Sequence, residues 1–197
     1  MNDETSISLI NTDKIVDGLY KIFDEAIVNA RDHATRMKTL ADSDNSIQVS
    51  YIDVAIKEDG TICVVNDGNG IDIEKHPEYN TWIPELIFAH LRTSTNYKKD
   101  EKRIVGGKNG FGVKLAFIWS EWGYIETVDH KRKLKYSQKF HNNLSVIDDP
   151  VVTKCSTKPY TKIMFKPDYK RFGLDGLSPE MYSLFKQGPF YWPTPYL

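Results

Sequence analysis

The segment VGGKNGFGVKLA, residues 105–116, places four glycines within seven positions and then continues in residues that favour a helix. Glycine inside regular structure costs roughly 0.5–1 kcal/mol relative to alanine, so four together need a physical reason. One reason is a flexible surface turn. The other is that backbone N–H groups approach an anion where a helix begins, since the helix dipole also favours negative charge there. The segment is not a P-loop, because Val113 and not lysine follows Gly112.

The order of the predicted elements favours an α+β fold. A long amphipathic helix over about 14–40 precedes two strands, 47–57 and 61–66, joined by a turn that contains Gly60. Ser178 is the expected N-cap of the last helix. Because a helix comes first and the strands are arranged as hairpins, we expect a two-layer sandwich, a mixed or mostly antiparallel sheet with helices on one face. The other predicted helices are WIPELIFAHL, GVKLAFIWS and LSPEMYSLFKQ, and the other strands are WGYIETVD, KLKYSQKF and TKIMFKP.

Charge and hydropathy exclude some classes of function. The formal net charge of −1 provides no overall basic field for nucleic acid. Basic runs at 96–103, 130–139 and 166–171 are interpreted as solvated faces. The N-terminus has no apolar core of a signal peptide, and no apolar run is long enough to span a membrane. We therefore expect an intracellular protein with no membrane partner.

Cysteine and histidine positions give no sign of a metal site. Cys63 lies in the apolar run TICVV and is expected to be a buried small hydrophobe, while Cys155 stands alone. The five histidines show no metal-binding spacing, so structural or surface roles are expected. These are His33, His76, His90, His130 and His141.

The first helix carries a polar stripe beside its apolar face. At about 100° per residue, Glu25, Asn29 and Asp32 fall within about 60° of one another. Such a stripe is either the solvated boundary of an amphipathic helix or one wall of a site. Asparagine is unfavourable in the middle of a helix, so Asn29 favours the second interpretation.

The sequence NDGNGID, 66–72, directly follows an apolar strand. It is either an ordinary turn or a place where a flat ring approaches the backbone at Gly68 and Gly70. In the second case the Asp67 carboxylate would accept a hydrogen bond from an amino group such as that of adenine. RTSTN, 92–96, adds hydroxyls and an amide that suit ribose and phosphate oxygens.

Together, these motifs resemble those of the Bergerat-fold (GHKL) ATPases, which include gyrase-type topoisomerases, heat-shock chaperones, histidine kinases and mismatch-repair proteins. The shared features are the Glu-x-x-x-Asn-Ala-x-Asp helix, the aspartate and glycines after a strand, and the glycine-rich segment that opens a helix. Three stretches are similar to the ATPase domain of eukaryotic-type DNA topoisomerase II, cellular or viral: GLYKIFDEAIVNARD, RTSTNYKKDEKRIVGGKNGFGVKLA and TKIMFKPDYKRFG. The resemblance covers roughly residues 15–175.

The resemblance implies a site for ATP and Mg²⁺. Glu25 corresponds to the general base for the attacking water, Asn29 to the Mg²⁺ ligand, and Asp67 to the adenine contact, while Asp32 orients its neighbours. Asp67 stands where eukaryotic relatives more often have asparagine. The other implied nucleotide contacts are Gly70, Ser94, Thr95, Asn96, Gly107, Lys108, Asn109, Gly110, Phe111, Gly112, Val113, Lys114 and Thr161.

The resemblance also implies a domain organisation and a cellular role. We expect a shortened N-terminal segment over 1–14, the ATPase domain over 15–177, and a C-terminal helix and tail over 178–197 leading towards a transducer domain absent from this chain. In the full-length enzyme, a homodimer, ATP binding would close a gate around DNA during strand passage, and hydrolysis would reset it. The compartment would be the nucleus for a cellular enzyme, or the host cytoplasm or virion for a viral one.

Two alternatives remain open at this point. The transducer normally supplies a lysine to the γ-phosphate, so this chain is expected to hydrolyse ATP weakly, and it could be a nucleotide-binding interaction module deficient in hydrolysis. It could also be another GHKL ATPase, of the chaperone or mismatch-repair type.

Overall fold

The computed structural model describes residues 15–40, 46–90 and 112–187 of the 197-residue chain. Within these ranges there are four α-helices, seven strands and one 3₁₀ turn. In chain order they are α1 (Asp17–Thr39), β1 (Ile52–Ile56), β2 (Ile62–Asp67), α2 (Ile83–Phe88), α3 (Gly112–Ile118), β3 (Ser120–Asp129), β4 (Leu134–His141), β5 (Val146–Ile147), β6 (Val151–Lys154), β7 (Tyr160–Pro167), the 3₁₀ turn (Tyr169–Phe172) and α4 (Pro179–Gln187).

The strands form one sheet in which every described pairing is antiparallel. Their order is β1-β2-β7-β3-β4-β5, and β6 also pairs with β4. The last of the described strands, β7, therefore lies in the centre, between β2 of the first hairpin and β3. This order places the ends of β2, β3 and β7 side by side, although the three strands are far apart in sequence.

Helices cover one face of the sheet. Buried residues alternate with half-buried ones along β2 and β7, and the buried set faces the helices. Phe23 and Ala26 of α1 join Ile62 of β2 and Phe165 of β7 in one core cluster. The helix α3 contacts α1 as well as β3 and β7. The prediction of an α+β two-layer sandwich with helices on one face is confirmed.

The long helix α1 forms where the apolar pattern predicted it. Leu19, Phe23, Ala26 and Ala30 recur at helical spacing and are almost completely buried. Arg36 and Lys38 stand in its last turn, where positive charge favours the helix dipole. The stripe of small and apolar residues fixes which side of α1 faces the sheet, and so fixes where Glu25 and its neighbours point.

Three expectations from the sequence need correction. The strand predicted over 47–57 forms only over Ile52–Ile56, because the N–H groups of Ser50 and Tyr51 bond to the Asp67 carboxylate. Cys63 is half-buried and not buried, because it alternates out of the core along β2. The short strands β5 and β6 were not predicted, since two to four residues carry too little periodicity to detect.

The last helix, α4, packs on α1. The Phe185 ring stacks on Phe23 with centroids 4.2 Å apart, and Met181 is fully buried. The Ser178 hydroxyl accepts a hydrogen bond of 3.1 Å from the N–H of Met181, which confirms the predicted N-cap. This packing adds α4 to the same core cluster that joins α1 to the sheet.

Candidate nucleotide site

The start of α3 lies against the Glu25 carboxylate. A Cβ atom on Gly112 would lie 1.8 Å from Oε2 of Glu25, a distance no two such atoms can occupy. The other carboxylate oxygen, Oε1, forms an ion pair of 2.7 Å with Lys21 Nζ, and this hydrogen bond raises the pKa of Lys21. Gly112, the last glycine of the glycine-rich segment, therefore lies directly against a carboxylate, and any side chain there would displace it. This contact brings the helix motif and the start of α3 together.

Asn29 and Asp32, the other polar residues of the α1 stripe, follow Glu25 within two turns. Both are half-buried on the margin of the core.

Lys114 on α3 is completely buried, and burial lowers the pKa of its amino group to about 8. Burial disfavours the charged form of this amino group, and a nearby anion would favour it. Val113 beside it is also buried.

The loop that follows β2 is clamped across the end of β3. The N–H of Ile71 donates to Thr127 Oγ1 at 3.0 Å, and the N–H of Ile73 donates to the Asp129 carboxylate at 2.9 Å. Gly70 has φ of +69°, and a Cβ there would lie 2.0 Å from the carbonyl oxygen of Val128. The loop is thus a fixed part of the sheet end and not a free surface turn.

Polar side chains occupy core-facing positions at this end of the sheet. Asn66, Thr161 and Thr127 are neighbours in the register of β2, β7 and β3, and each is buried. Thr127 Oγ1 donates to the Tyr160 carbonyl at 2.9 Å and lies 3.2 Å from Thr161 Oγ1. The Thr127 hydroxyl proton is thus already used, so the Thr161 hydroxyl must donate its own proton to Thr127 Oγ1. The oxygen of Thr161 can then still accept a hydrogen bond from a ligand.

The sequence predicted a role for Thr161 but not for Asn66 or Thr127, which lie beside it. A signal was available: Asn66 follows the core-facing Ile62 and Val64 in alternation, and Thr127 follows Ile125 in the same way, and a polar group at such a position needs a partner. Asn66 Nδ2 donates to the Asp67 carbonyl at 2.7 Å. Its side chain thus fixes the chain direction just before the two glycines.

The Asp67 carboxylate is anchored at the edge of the sheet. One oxygen accepts from the N–H groups of Ser50, at 2.7 Å, and Tyr51, at 3.2 Å, and the other accepts from Ser50 Oγ at 2.5 Å. Asp67 also lines a cavity of about 400 Å³ with Lys135 and Tyr160, which lie on the sheet face away from the helices. A carboxylate offers roughly four lone-pair positions, so one remains open, on the face of the sheet opposite Thr161.

His33 of α1 is buried beside the loop that follows β2, with 7% of its surface exposed. Its Nδ1 lies 3.0 Å from Nη2 of Arg36. Its Nε2 has no hydrogen-bond partner among the described residues and lies 3.1 Å from the place of a Cβ on Gly68. Burial, reinforced by Arg36 and opposed by Asp67, lowers the pKa of the His33 imidazole to about 4. The sequence did not distinguish His33 from the other histidines, although it adjoins the polar stripe.

Eight of the predicted contacts lie outside the described residues: Ser94, Thr95, Asn96, Gly107, Lys108, Asn109, Gly110 and Phe111. Over 15–40, 46–90 and 112–187, no group of three or more His, Cys, Asp or Glu side chains is placed to hold a metal ion. The same ranges contain no helix that is both long and apolar enough to cross a bilayer.

Comparison with known proteins agrees with this geometry. Residues 14–170 match the family model described as histidine kinase-, DNA gyrase B- and HSP90-like ATPase. DNA topoisomerase 2 of Acanthamoeba polyphaga mimivirus is 48% identical over 175 residues, covering 89% of this chain and 13% of the relative. DNA topoisomerase 2 of Saccharomyces cerevisiae is 42% identical over 187 residues, covering 94% of this chain and 12% of the relative. The chain thus spans about an eighth of the length of these relatives.

A solved structure gives the same result for the fold. The crystal structure of the ATPase region of Saccharomyces cerevisiae topoisomerase II superposes with a TM-score of 0.80 at 44% identity, covering 88% of this chain and 44% of that one. The sheet order, the carboxylate against the glycine-rich segment and these similarities lead to one conclusion. This chain belongs to the family of histidine kinase-, DNA gyrase B- and HSP90-like ATPases.

Proposed function

We propose that this chain is the ATP-binding and ATP-hydrolysing domain of a type II DNA topoisomerase. The contact of Glu25 with the first residue of α3 carries the proposal, because a carboxylate beside the start of this helix supports the role of general base for Glu25. The similarity to topoisomerase 2 sequences from a virus and from yeast supports the choice within the family.

In this proposal Glu25 takes a proton from the water that attacks the γ-phosphate. The ion pair with Lys21 occupies Oε1 and leaves Oε2, the oxygen next to α3, to accept a hydrogen bond from that water. The buried Lys114 is on the same short helix, and its positive charge would favour the phosphate oxygens over water. Phosphoryl transfer depends mainly on such positioning and charge.

The residues present fit Mg²⁺ as a cofactor. Mg²⁺ usually keeps several waters and binds one or two protein oxygens together with substrate phosphates, so it needs no cluster of acidic side chains. Asn29 offers an amide oxygen one turn after Glu25, half-buried on the same stripe. When bound there, the ion would neutralise phosphate charge during transfer. Asn29 and Glu25 are both on α1, so the helix fixes the position of the Asn29 amide relative to the Glu25 carboxylate.

At the other end of the site we assign adenine recognition to Gly70 and Thr161. Thr161 retains acceptor capacity, which matches the amino group of adenine. Asp67 is not assigned to this contact, because it pairs with Tyr160 and lines the cavity on the sheet face away from the helices, whereas Thr161 faces the core. Gly70 brings the backbone of the loop close to the sheet end. For the longer protein, we propose that two copies pair when ATP binds and close a gate around DNA, and that hydrolysis reopens it.

The test measures nucleotide binding and hydrolysis separately on the 197-residue chain. Calorimetric titration with a non-hydrolysable ATP analogue and Mg²⁺ gives Kd, and phosphate release gives turnover. Glu25→Gln should bind the analogue within about threefold of wild type but lose on the order of 10²–10⁴ in turnover, the usual contribution of a general base. Asn29→Ala should weaken binding of the Mg²⁺ complex. Glu58→Gln, an exposed carboxyl in the β1–β2 turn, is the matched control.

Absence of nucleotide binding by the folded wild-type chain would refute the proposal. Binding without turnover that responds to Glu25→Gln would favour the alternative of a nucleotide-binding module without hydrolysis. A supercoil-relaxation assay of the longer protein separates a topoisomerase from a chaperone-type or mismatch-repair ATPase.

A further inference from the structure

A single guanidinium group joins the loop after β2 to the end of β3. Arg132 Nη1 donates to Oδ1 of Asp72 at 3.2 Å and to Oδ2 of Asp129 at 2.9 Å, and Nη2 donates to the Glu74 carboxylate. Asp72 and Glu74 belong to the loop, whereas Asp129 is the last residue of β3. One arginine of the basic run 130–139 therefore holds three carboxylates together.

The Asp129 carboxylate is the buried member of this group, since its side chain has no exposed surface. Its Oδ2 accepts from the N–H of Ile73 at 2.9 Å as well as from Arg132. Its Oδ1 accepts from the N–H groups of Lys131, at 2.8 Å, and Arg132, at 3.2 Å. Burial raises the pKa of Asp129, but these hydrogen bonds outweigh burial and hold the pKa below its usual range. The charged carboxylate thus fixes the loop to the strand.

The contacts assigned to the base lie along the same stretch of β3. The N–H of Ile71 donates to Thr127 Oγ1 at 3.0 Å, and a Cβ on Gly70 would lie 2.0 Å from the carbonyl oxygen of Val128. Asp129 is the next residue of the strand, and it bonds to the loop two positions after Ile71. Loop and strand therefore run side by side, and Asp129 with its arginine forms the outer end of that contact.

Removing the guanidinium would leave this contact unbalanced. Three carboxylates that bond one group lie close together, and like charges at such distances repel. The loop would relieve the repulsion by moving away from β3, and Gly70 would move with it, away from Thr161. The phosphate end is held by other elements, because Glu25 is on α1 and Gly112 is on α3. Base contacts therefore depend on this group of charges, and phosphate contacts do not.

We propose that Asp129 is a positioning residue for the nucleotide base, and that it acts by holding the loop after β2 through Ile73 and Arg132. In this role Asp129 does not touch the ligand; it sets the position of Gly70 relative to Thr161. The proposal rests on the proposed function, since it assumes that these two residues receive adenine. It deepens that function, because it separates what determines base affinity from what determines phosphate affinity and turnover.

The test compares a ligand that has a base with one that has none. The 197-residue chain is titrated calorimetrically, in the presence of Mg²⁺, with ADP and with inorganic tripolyphosphate, and ATP hydrolysis gives kcat and KM. Arg132→Met should bind ADP about tenfold more weakly, the usual effect of losing a charged hydrogen-bond partner. Its affinity for tripolyphosphate should stay within about twofold of wild type, and KM should rise about tenfold with little change in kcat.

Three further variants assign the effect. Arg132→Lys keeps the charge but not the fork that reaches several carboxylates, so it should recover part of the ADP affinity. Asp129→Asn replaces an acceptor oxygen by an amide N–H and should match Arg132→Met. Lys133→Met is the matched control, because it removes an exposed positive charge from the same turn. Circular dichroism and urea midpoints verify folding. Arg132→Met carries the test if Asp129→Asn does not fold, because the Arg132 side chain is 32% exposed.

Two results would overturn the inference. The first is an ADP affinity of folded Arg132→Met within about twofold of wild type. The second is an equal loss of affinity for ADP and tripolyphosphate, which would mean that these charges support the whole site and not the base alone. In both cases wild type still binds ADP and the proposed function stands, whereas failure of wild type to bind ADP at all would remove both.

Discussion

Replacing His33 should change how the stability of this protein depends on pH. Burial first, and then Arg36, lower the pKa of the His33 imidazole to about 4 in the folded chain, whereas an unfolded histidine titrates near 6.5. Between these values the unfolded chain holds more protons than the folded one. The free energy of unfolding therefore rises with pH across this window, and acid destabilises the fold through this residue.

The magnitude follows from the two pKa values. Linkage gives a contribution close to zero at pH 8, about 1 kcal/mol of destabilisation at pH 6 and about 2 kcal/mol at pH 5. His33→Gln cannot titrate and should lose this slope. The four other histidines remain in both proteins, so the difference between wild type and variant isolates His33.

Urea unfolding followed by tryptophan fluorescence at pH 8, 7, 6 and 5 measures the effect. With an m-value of about 2 kcal/mol/M, the wild-type midpoint should fall about 1 M further than that of His33→Gln between pH 8 and pH 5. Parallel midpoints for the two proteins over this range would refute the reasoning. His33 would then titrate as it does in water, and its Nε2 would not be buried without a partner.

Three other substitutions test the packing around the site. Gly112→Ala would place a Cβ 1.8 Å from Oε2 of Glu25, so the carboxylate must rotate away. Turnover should fall at least tenfold, while the Kd of the ATP analogue stays within about threefold of wild type. Normal turnover would contradict this. Gly70→Ala would place a Cβ 2.0 Å from the carbonyl oxygen of Val128, at a φ of +69°. Because this backbone cannot move aside, the free energy of unfolding in urea should fall by at least about 3 kcal/mol, and an unchanged midpoint would contradict this. Phe185→Ala removes the ring stacked on α1 and should cost about 3–5 kcal/mol, so a melting temperature within 2 °C or so of wild type would exclude tight docking of α4.

Some features of the site are local and could be predicted. The polar stripe of α1 follows from helical spacing alone, because residues three, four and seven apart share a face in any helix. The glycines of the loop after β2 signal a close approach, and Gly70 makes one against Val128. Membership of the ATPase family followed from the order of such motifs along the chain.

Other features depend on contacts between distant segments. No local pattern distinguishes His33 from the remaining histidines, because the burial of its Nε2, which has no hydrogen-bond partner in the described part of the chain, results from the way α1 lies under the loop at Gly68. The shortened first strand is similar: Ser50 and Tyr51 leave the ladder because the Asp67 carboxylate offers their N–H groups better partners. Alternation of polar and apolar residues cannot report such competition.

The sequence by itself determined the longer elements, the fold class and the list of chemical groups available to the site, since these depend on periodicity and residue type. Only the tertiary structure decided which of those groups meet. The central position of β7 aligns Thr161 with Asn66 and Thr127, and the packing of α3 on α1 brings Gly112 against Glu25. These contacts are long-range, and their free energy comes from burying surfaces that are remote in the chain, so no window of sequence contains them.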